Sequence, residues 1–296
     1  MLLLFNQIAF SPMQELTYTS ISRNNGLIIF DALADSEMQT GRRLEEDLID
    51  YCQEISRQGY CTYYKIKSKQ MLIAALKMVL TECKAGVLYP VLHFECHGDS
   101  IEGLYVHASK EFVAWEELIR HIAEINQATR NNTGVVLAAC YGFEISKHVT
   151  FTSPSPFNYV IAPQNELQAG HLQDVILDFY KVTVQTGDLQ GGLVLLDSRL
   201  KIFHCGEWFY NTLATFMVTN FNAAGRREII EQIVSNQITR AGYRNRELVK
   251  ASRAQAKKFV TSLQGFYKHT SLTFFHGQMP IPYEHFHSFV EEKRPR

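Results

Sequence analysis

The chain has 296 residues, of which 46% are hydrophobic and 20% are charged, so its composition is globular and excludes a disordered or low-complexity chain. The 29 Lys and Arg residues nearly balance the 30 Asp and Glu residues, which argues against a globally basic nucleic-acid-binding protein. Because no apolar run is long enough to span a membrane and the six cysteines are scattered, we expect a cytoplasmic protein with reduced thiols.

Charge is divided unevenly along the chain. Residues 226–296 contain 13 Lys and Arg against 6 Asp and Glu, whereas residues 1–225 contain 16 against 24. This asymmetry predicts two parts with different surfaces, which we place at residues 25–222 and at a basic region over residues 223–296. The preceding segment, residues 1–24, begins with an apolar run but lacks a basic region and a cleavage site. It therefore favours a short strand or anchoring segment over a targeting signal.

In residues 25–222, short apolar runs alternate with stretches whose apolar residues recur at helical spacing. Predicted strands cover residues 27–30, 60–66, 87–96, 133–139, 158–162 and 201–204, with a hairpin at 103–106. Predicted helices cover residues 42–57, 70–83, 114–128 and 168–186. This alternation predicts βαβ crossovers and a mainly parallel sheet that is flanked by helices.

The C-terminal region has a helical pattern. One helix is predicted around Ile229–Ile238, and a longer one runs from Leu248 to Leu263 at three- and four-residue spacing. The chain from Met279 onward contains two prolines in quick succession and is predicted to be irregular.

Two of the predicted strands end on chemically reactive residues. His97 and Gly98 end one strand, and Cys140 ends the next long apolar strand, so parallel pairing would bring both ends to one edge of the sheet. A histidine beside a cysteine can take the thiol proton and later give it to a leaving amine. The backbone N–H groups of Gly98 and Cys140 are candidates for stabilising an oxyanion.

These motifs resemble a known family. The stretches Leu92–Asp99 (LHFECHGD), Glu102–Val106 (EGLYV) and Val136–Gly142 (VLAACYG) resemble the caspase-like cysteine peptidases, and within them the CHAT branch (caspase HetF-associated with TPRs). In caspases the histidine lies about 50 residues before the cysteine, and here the separation is 43 residues. The likeness covers about residues 25–222 and implies a caspase-like sheet with a C-terminal helical extension.

The resemblance also implies roles for individual residues. His97 would be the general base and acid, and Cys140 the nucleophile that forms a thioester with a protein substrate. The N–H groups of Gly98 and Cys140 would form the oxyanion hole. The family generally lacks a third carboxylate, so none is assigned, and no cofactor is expected. Many CHAT members act in prokaryotic defence or cell death and are held inactive until a sensor or regulatory protein binds.

The pocket for the residue before the cleaved bond departs from the caspase pattern. Ala138 stands where caspases carry glutamine or a similar polar residue, which argues against specificity for aspartate. Relatives that prefer arginine use acidic groups in this pocket, and Asp31 and Glu166 follow predicted strands. They suggest a preference for Lys or Arg, although each of them alone is better explained as a solvated loop carboxylate.

Several alternatives stay open. His93, Glu95 and His97 share one strand face, but no further ligands accompany them, so no metal site is expected. Cys96 points away from His97 and is predicted to be a small buried residue. The basic helix 244–258 is explained by a solvated face, an anionic surface or a docking site for an acidic regulatory partner, and no specific nucleic acid is expected.

Two other functions compete with a peptidase. A caspase-like fold can serve as a non-catalytic interaction module, although a scaffold would not need both His97 and Cys140. The same pair would also suit a different Cys/His enzyme, such as an acyltransferase or an amidase.

Overall fold

A computed structural model describes residues 23–166, 169–186, 189–196 and 198–293 of the chain. The predicted N-terminal strand or anchoring segment lies almost wholly outside these residues. By compactness, the described residues divide into a sheet unit, residues 23–205 and 270–278, and a helical unit, residues 206–269 and 279–293. The boundary predicted from the sequence, at residue 222, lies later in the chain than this division after Cys205.

Nine strands and ten α-helices lie within the described residues. The strands are β1 Gly26–Asp31, β2 Cys61–Lys65, β3 Pro90–Glu95, β4 His97–Asp99, β5 Gly103–Val106, β6 Glu111–Val113, β7 Gly134–Ala138, β8 Tyr159–Pro163 and β9 Leu200–His204. The helices are α1 Thr40–Glu54, α2 Lys69–Lys84, α3 Trp115–Ala128, α4 Ala169–Thr186, α5 Leu189–Leu193, α6 Cys205–Thr219, α7 Ala223–Ala241, α8 Arg246–Phe259, α9 Leu263–Phe274 and α10 Tyr283–Lys293. A 3₁₀ helix covers Gly142–His148.

The main sheet has six strands in the order β2-β1-β3-β7-β8-β9. All neighbouring strands are parallel except β8 and β9, which are antiparallel. The prediction of a mixed α/β fold with a mainly parallel sheet flanked by helices is therefore confirmed. A second, antiparallel sheet contains β4, β5 and β6, and it extends the predicted hairpin at 103–106 by a strand on either side.

Both faces of the main sheet are covered by helices. On one face, Leu27 and Ile29 of β1 pack in a cluster with Leu44 and Leu48 of α1 and with buried side chains of α4. On the other face, Phe30 and its neighbours on β3 lie around Leu72 of α2. Since β1 is buried at all six positions, it reads in the sequence as a continuous apolar run. Burial of each such Leu or Ile side chain contributes about 1.5–3 kcal/mol.

The helical unit differs from the sequence prediction in two places. The helix predicted from Leu248 to Leu263 is two helices, because Ser262 accepts a hydrogen bond from the Gly265 N–H and so begins α9. The prediction of an irregular chain after Met279 is wrong beyond Pro282. Helix α10 begins at Tyr283 and buries Phe286, Phe289 and Val290 along one stripe. Pro282 lies just before the first helical residue, so its missing N–H removes no hydrogen bond within the helix.

No helix within the described ranges is both long and apolar enough to cross a membrane.

Candidate active site

The chain turns sharply directly after Cys140. Strand β7 ends at Ala138, and Tyr141 adopts a left-handed conformation with φ of 58°, which is uncommon for a residue with a side chain. Gly142 then begins the 3₁₀ helix, and a Cβ at this position would lie 2.8 Å from the Cβ of Leu137. The turn is therefore tight enough to require glycine at position 142. It holds the half-buried Cys140 at the carboxyl edge of the sheet.

His97 and Cys140 follow neighbouring parallel strands in the same register. Glu95 of β3 pairs with Ala138 of β7, and each reactive residue lies two positions beyond this pair. A Cβ on Gly98 would overlap the carbonyl oxygen of Cys140 and would lie 3.3 Å from the Cβ of Ala139. The two strand ends therefore touch through their backbones, which is possible only because residue 98 is glycine. The structure thus brings His97, Gly98 and Cys140 together at one edge of the sheet.

A carboxylate that sequence reasoning missed contacts His97. The His97 side chain is 51% exposed, and its Nε2 atom lies 2.6 Å from Oε1 of Glu37. Glu37 belongs to the loop that joins β1 to α1, and its Oε2 accepts a hydrogen bond of 2.7 Å from the Ala34 N–H. Partial burial acts to raise the pKa of Glu37, but the Ala34 hydrogen bond, the contact with His97 and the charge of His107 outweigh it and lower the pKa.

The β1–α1 loop, residues 32–39, is fixed at several points. Gln39 donates to the carbonyl oxygens of Ala34 and Glu37 at 2.7 and 3.0 Å. Lys65 of β2 lies 3.3 Å from the Gln39 side-chain oxygen and 3.5 Å from a carboxylate oxygen of Asp35. The loop is therefore held by the neighbouring strand as well as by its own hydrogen bonds, which fixes the carboxylate of Glu37.

Asp31, predicted to bind substrate, lies at the end of β1 and is fully buried. Its carboxylate accepts hydrogen bonds from the Tyr63 hydroxyl at 2.7 Å and the Leu33 N–H at 2.9 Å, and Lys65 lies 3.4 Å away. Burial, followed by the hydrogen bond to Asp31, raises the pKa of Tyr63, which keeps this phenol neutral and donating. The Asp31 carboxylate is thus saturated by partners within the protein.

A chain of buried hydrogen bonds runs behind the site. His93 Nδ1 lies 2.9 Å from the Tyr180 hydroxyl, and its Nε2 lies 2.8 Å from Oε2 of Glu95. The other oxygen of Glu95 accepts a hydrogen bond from the Thr40 hydroxyl at the start of α1. With the His93 proton on Nε2, the ring donates to Glu95 and accepts from the Tyr180 hydroxyl, so every member of the chain has a partner. This network connects α4, β3 and α1 directly behind the loop that carries Glu37.

Glu166, the second predicted specificity residue, lies after β8 and is exposed. Its Oε1 accepts a hydrogen bond of 3.1 Å from the hydroxyl of Tyr141, the residue that follows Cys140. This hydrogen bond, followed by the charge of Glu166, raises the pKa of Tyr141. The structure therefore places Glu166 beside the cysteine turn with an open face, whereas Asp31 is enclosed.

The other cysteines do not have the surroundings of a nucleophile. Burial, followed by the charges of Glu95, Asp31 and Cys140, raises the pKa of Cys96 well above its usual value. Burial likewise raises the pKa of Cys61 to about 12 and that of Cys83 to about 12. The prediction that Cys96 is a small buried residue is confirmed. A neutral buried thiol of this kind is a poor nucleophile.

The three residues considered as metal ligands do not converge. His93 and Glu95 bind each other in the core, while His97 lies on the separate strand β4 and turns to Glu37. In the described part of the chain, no group of three or more His, Cys, Asp or Glu side chains is arranged to hold a metal ion.

The contact at Gly98 gives a test of the site's geometry. In Gly98→Ala the added methyl must push the Cys140 carbonyl away, so we expect a loss of about 1–3 kcal/mol in the free energy of unfolding. Urea denaturation would measure it, with Ser100→Ala as a control because Ser100 is exposed on the same segment. The control should change stability by no more than about 0.5 kcal/mol. Equal stability of the two variants would contradict the close approach.

Comparison with known proteins gives no family for this chain. A scan against protein-family models found no match, and a search of curated proteins found none either.

Proposed function

We propose that this chain is a cysteine endopeptidase of caspase-like fold, in which Cys140 is the nucleophile and His97 is the general base and acid. The observation that supports it most is the contact between Gly98 and the Cys140 carbonyl, because it places the two reactive residues at adjacent strand ends. The resemblance of the surrounding motifs to CHAT peptidases supports the same proposal. It also suggests a role in prokaryotic defence or cell death.

The proposed reaction has two stages. The Cys140 thiol gives its proton to His97, and the thiolate attacks the substrate carbonyl carbon, forming a C–S bond. The C–N bond then breaks, and the leaving amine takes the proton from His97. In the second stage, water gives a proton to His97 and attacks the thioester, releasing the acid product, while the proton returns to the thiolate. Backbone N–H groups of Gly98 and Cys140 would bind the oxyanion in both stages.

Glu166 is the better candidate for substrate recognition. It is exposed beside Tyr141, whereas the Asp31 carboxylate is buried and already bound by Tyr63 and Lys65. An exposed carboxylate next to the nucleophile would attract a basic side chain, so the proposed preference is for Lys or Arg before the cleaved bond.

Peptide-library digestion followed by mass spectrometry tests the proposed activity. Wild type should produce fragments that end predominantly in Lys or Arg, and Cys140→Ala should produce none above background. Glu166→Gln should retain cleavage. The ratio of cleavage after Lys or Arg to cleavage after other residues should fall about threefold, in line with a modest contribution from an exposed charge. Cleavage that persists in Cys140→Ala, or no cleavage by wild type in the presence of candidate activators, would count against a peptidase and favour a binding module.

The helical unit carries a surface suited to a regulatory partner. A groove of about 710 Å³ along α8 is lined by Val249, Ala254 and a row of basic side chains, Arg244, Arg246, Lys250, Arg253 and Lys257. Arg253 binds Glu231 through two hydrogen bonds, while Arg246 and Lys250 make no ion pair with any described residue. Cationic side chains beside the apolar Val249 and Ala254 fit an acidic amphipathic segment of a protein better than a nucleic acid.

Charge reversal tests this regulatory surface. The double variant Arg246→Glu and Lys250→Glu should bind a fluorescein-labelled amphipathic peptide of Glu and Leu at least about tenfold more weakly than wild type, as measured by anisotropy. The control, Lys67→Glu with Lys84→Glu, reverses two exposed charges on the sheet unit and should leave binding unchanged. Equal weakening in both double variants, or tighter binding of a single-stranded oligonucleotide than of the peptide, would contradict an acidic protein partner.

A further inference from the structure

We propose that Glu37 is a positioning residue for His97, so that the site works as a Cys140–His97–Glu37 triad rather than as a dyad. The inference rests on the proposed peptidase function, and it adds a member that neither the sequence motifs nor the resemblance supplies.

The hydrogen bonds of Glu37 fix the orientation of the imidazole. A carboxylate only accepts hydrogen bonds, so the 2.6 Å contact between Glu37 Oε1 and His97 Nε2 requires the proton to be on Nε2. In a neutral ring the other nitrogen, Nδ1, then has a free lone pair. Nδ1 is therefore the atom assigned to take the thiol proton of Cys140.

Glu37 also suits the charge that develops during the reaction. When His97 accepts the thiol proton it becomes an imidazolium, and a hydrogen bond between a cation and a carboxylate is stronger than one between neutral groups. Glu37 Oε2 is bound by the Ala34 N–H, and the same loop is fixed by Gln39 and Lys65. The carboxylate is thus held in place before the reaction begins, as a positioning role requires.

Other charged and titratable groups face His97 from its own strand, from β5 and from the end of β7. Tyr105 lies opposite His97 on β5, Asp99 is on the same strand, and Cys140 follows β7. Asp99 directs its Oδ1 to the N–H groups of Ile101 and Glu102. The charge of His107 acts on Glu37 and helps to lower the pKa of that carboxyl. Glu37 Oε1 lies within hydrogen-bonding distance of the His97 ring, 2.6 Å from Nε2.

The test measures alkylation of Cys140 by iodoacetamide as a function of pH, with modification located by mass spectrometry. In Glu37→Gln, the amide has one acceptor oxygen, which can serve His97 or the Ala34 N–H but not both. We expect alkylation at neutral pH to slow about tenfold, equivalent to about 1.4 kcal/mol, and the rate–pH curve to move to higher pH, because the thiolate–imidazolium pair loses its neighbouring charge. The matched control is Glu102→Gln, which removes an exposed charge from the turn that follows β4 and should leave the curve unchanged.

The outcomes separate this inference from the peptidase proposal. If Cys140 of wild type reacts no faster than Cys61, the peptidase proposal itself fails. If Cys140 reacts rapidly but Glu37→Gln behaves like Glu102→Gln, the peptidase proposal stands and the positioning role is overturned. Should Glu37→Gln fail to fold, long-range ¹⁵N NMR of wild-type histidines decides the question. A His97 ring with its proton on Nε2 supports the role of Glu37, and a proton on Nδ1 contradicts it.

Discussion

The close approach of Gly98 to the Cys140 carbonyl is the constraint on which the rest of the site depends. It follows from parallel pairing of β3 and β7, whose last pair, Glu95 and Ala138, lies a few residues before Gly98 and Cys140. Any side chain at position 98 would separate the strand ends and carry His97 away from Cys140. The left-handed Tyr141 and the tight turn at Gly142 then stop the chain from continuing as a strand, so the cysteine stays at the edge of the sheet.

A buried polar layer supports this edge from behind. The chain of Tyr180, His93, Glu95 and Thr40 ties α4 and α1 to β3, and Asp31 ties β1 to β2 through Tyr63 and Lys65. Buried carboxylates are costly unless their hydrogen bonds are satisfied, and here each oxygen has a partner. The layer therefore fixes both ends of the loop that presents Glu37 to His97. Buried side chains that would not touch a substrate thus fix the positions of Glu37 and His97 at the edge of the sheet.

Most of the sheet was predictable from the sequence because its central strands are buried on both faces. Strands β1, β7 and β8 read as largely apolar runs, β3 is apolar apart from His93 and Glu95, and His97 and Cys140 lie two positions after β3 and β7. Glu37 was not predictable, because it lies in a loop without periodicity and reaches His97 only through tertiary packing. Asp31 resembled a loop carboxylate because sequence pattern does not reveal that the strand extends to include it. Helix α10 was not predicted because two prolines stand just before it. Pro282 precedes the helix rather than interrupting it, so the buried apolar residues of α10 can form one face.

The proposed function requires the imidazole of His97 to activate the thiol of Cys140. The most direct measurement compares the rate at which Cys140 is alkylated at neutral pH in the wild type and in His97→Ala, with Cys61 of the same molecules as an internal reference. We expect Cys140 of wild type to react far faster than Cys61, and His97→Ala to remove most of this advantage. A Cys140 whose rate is the same with and without His97 would contradict it.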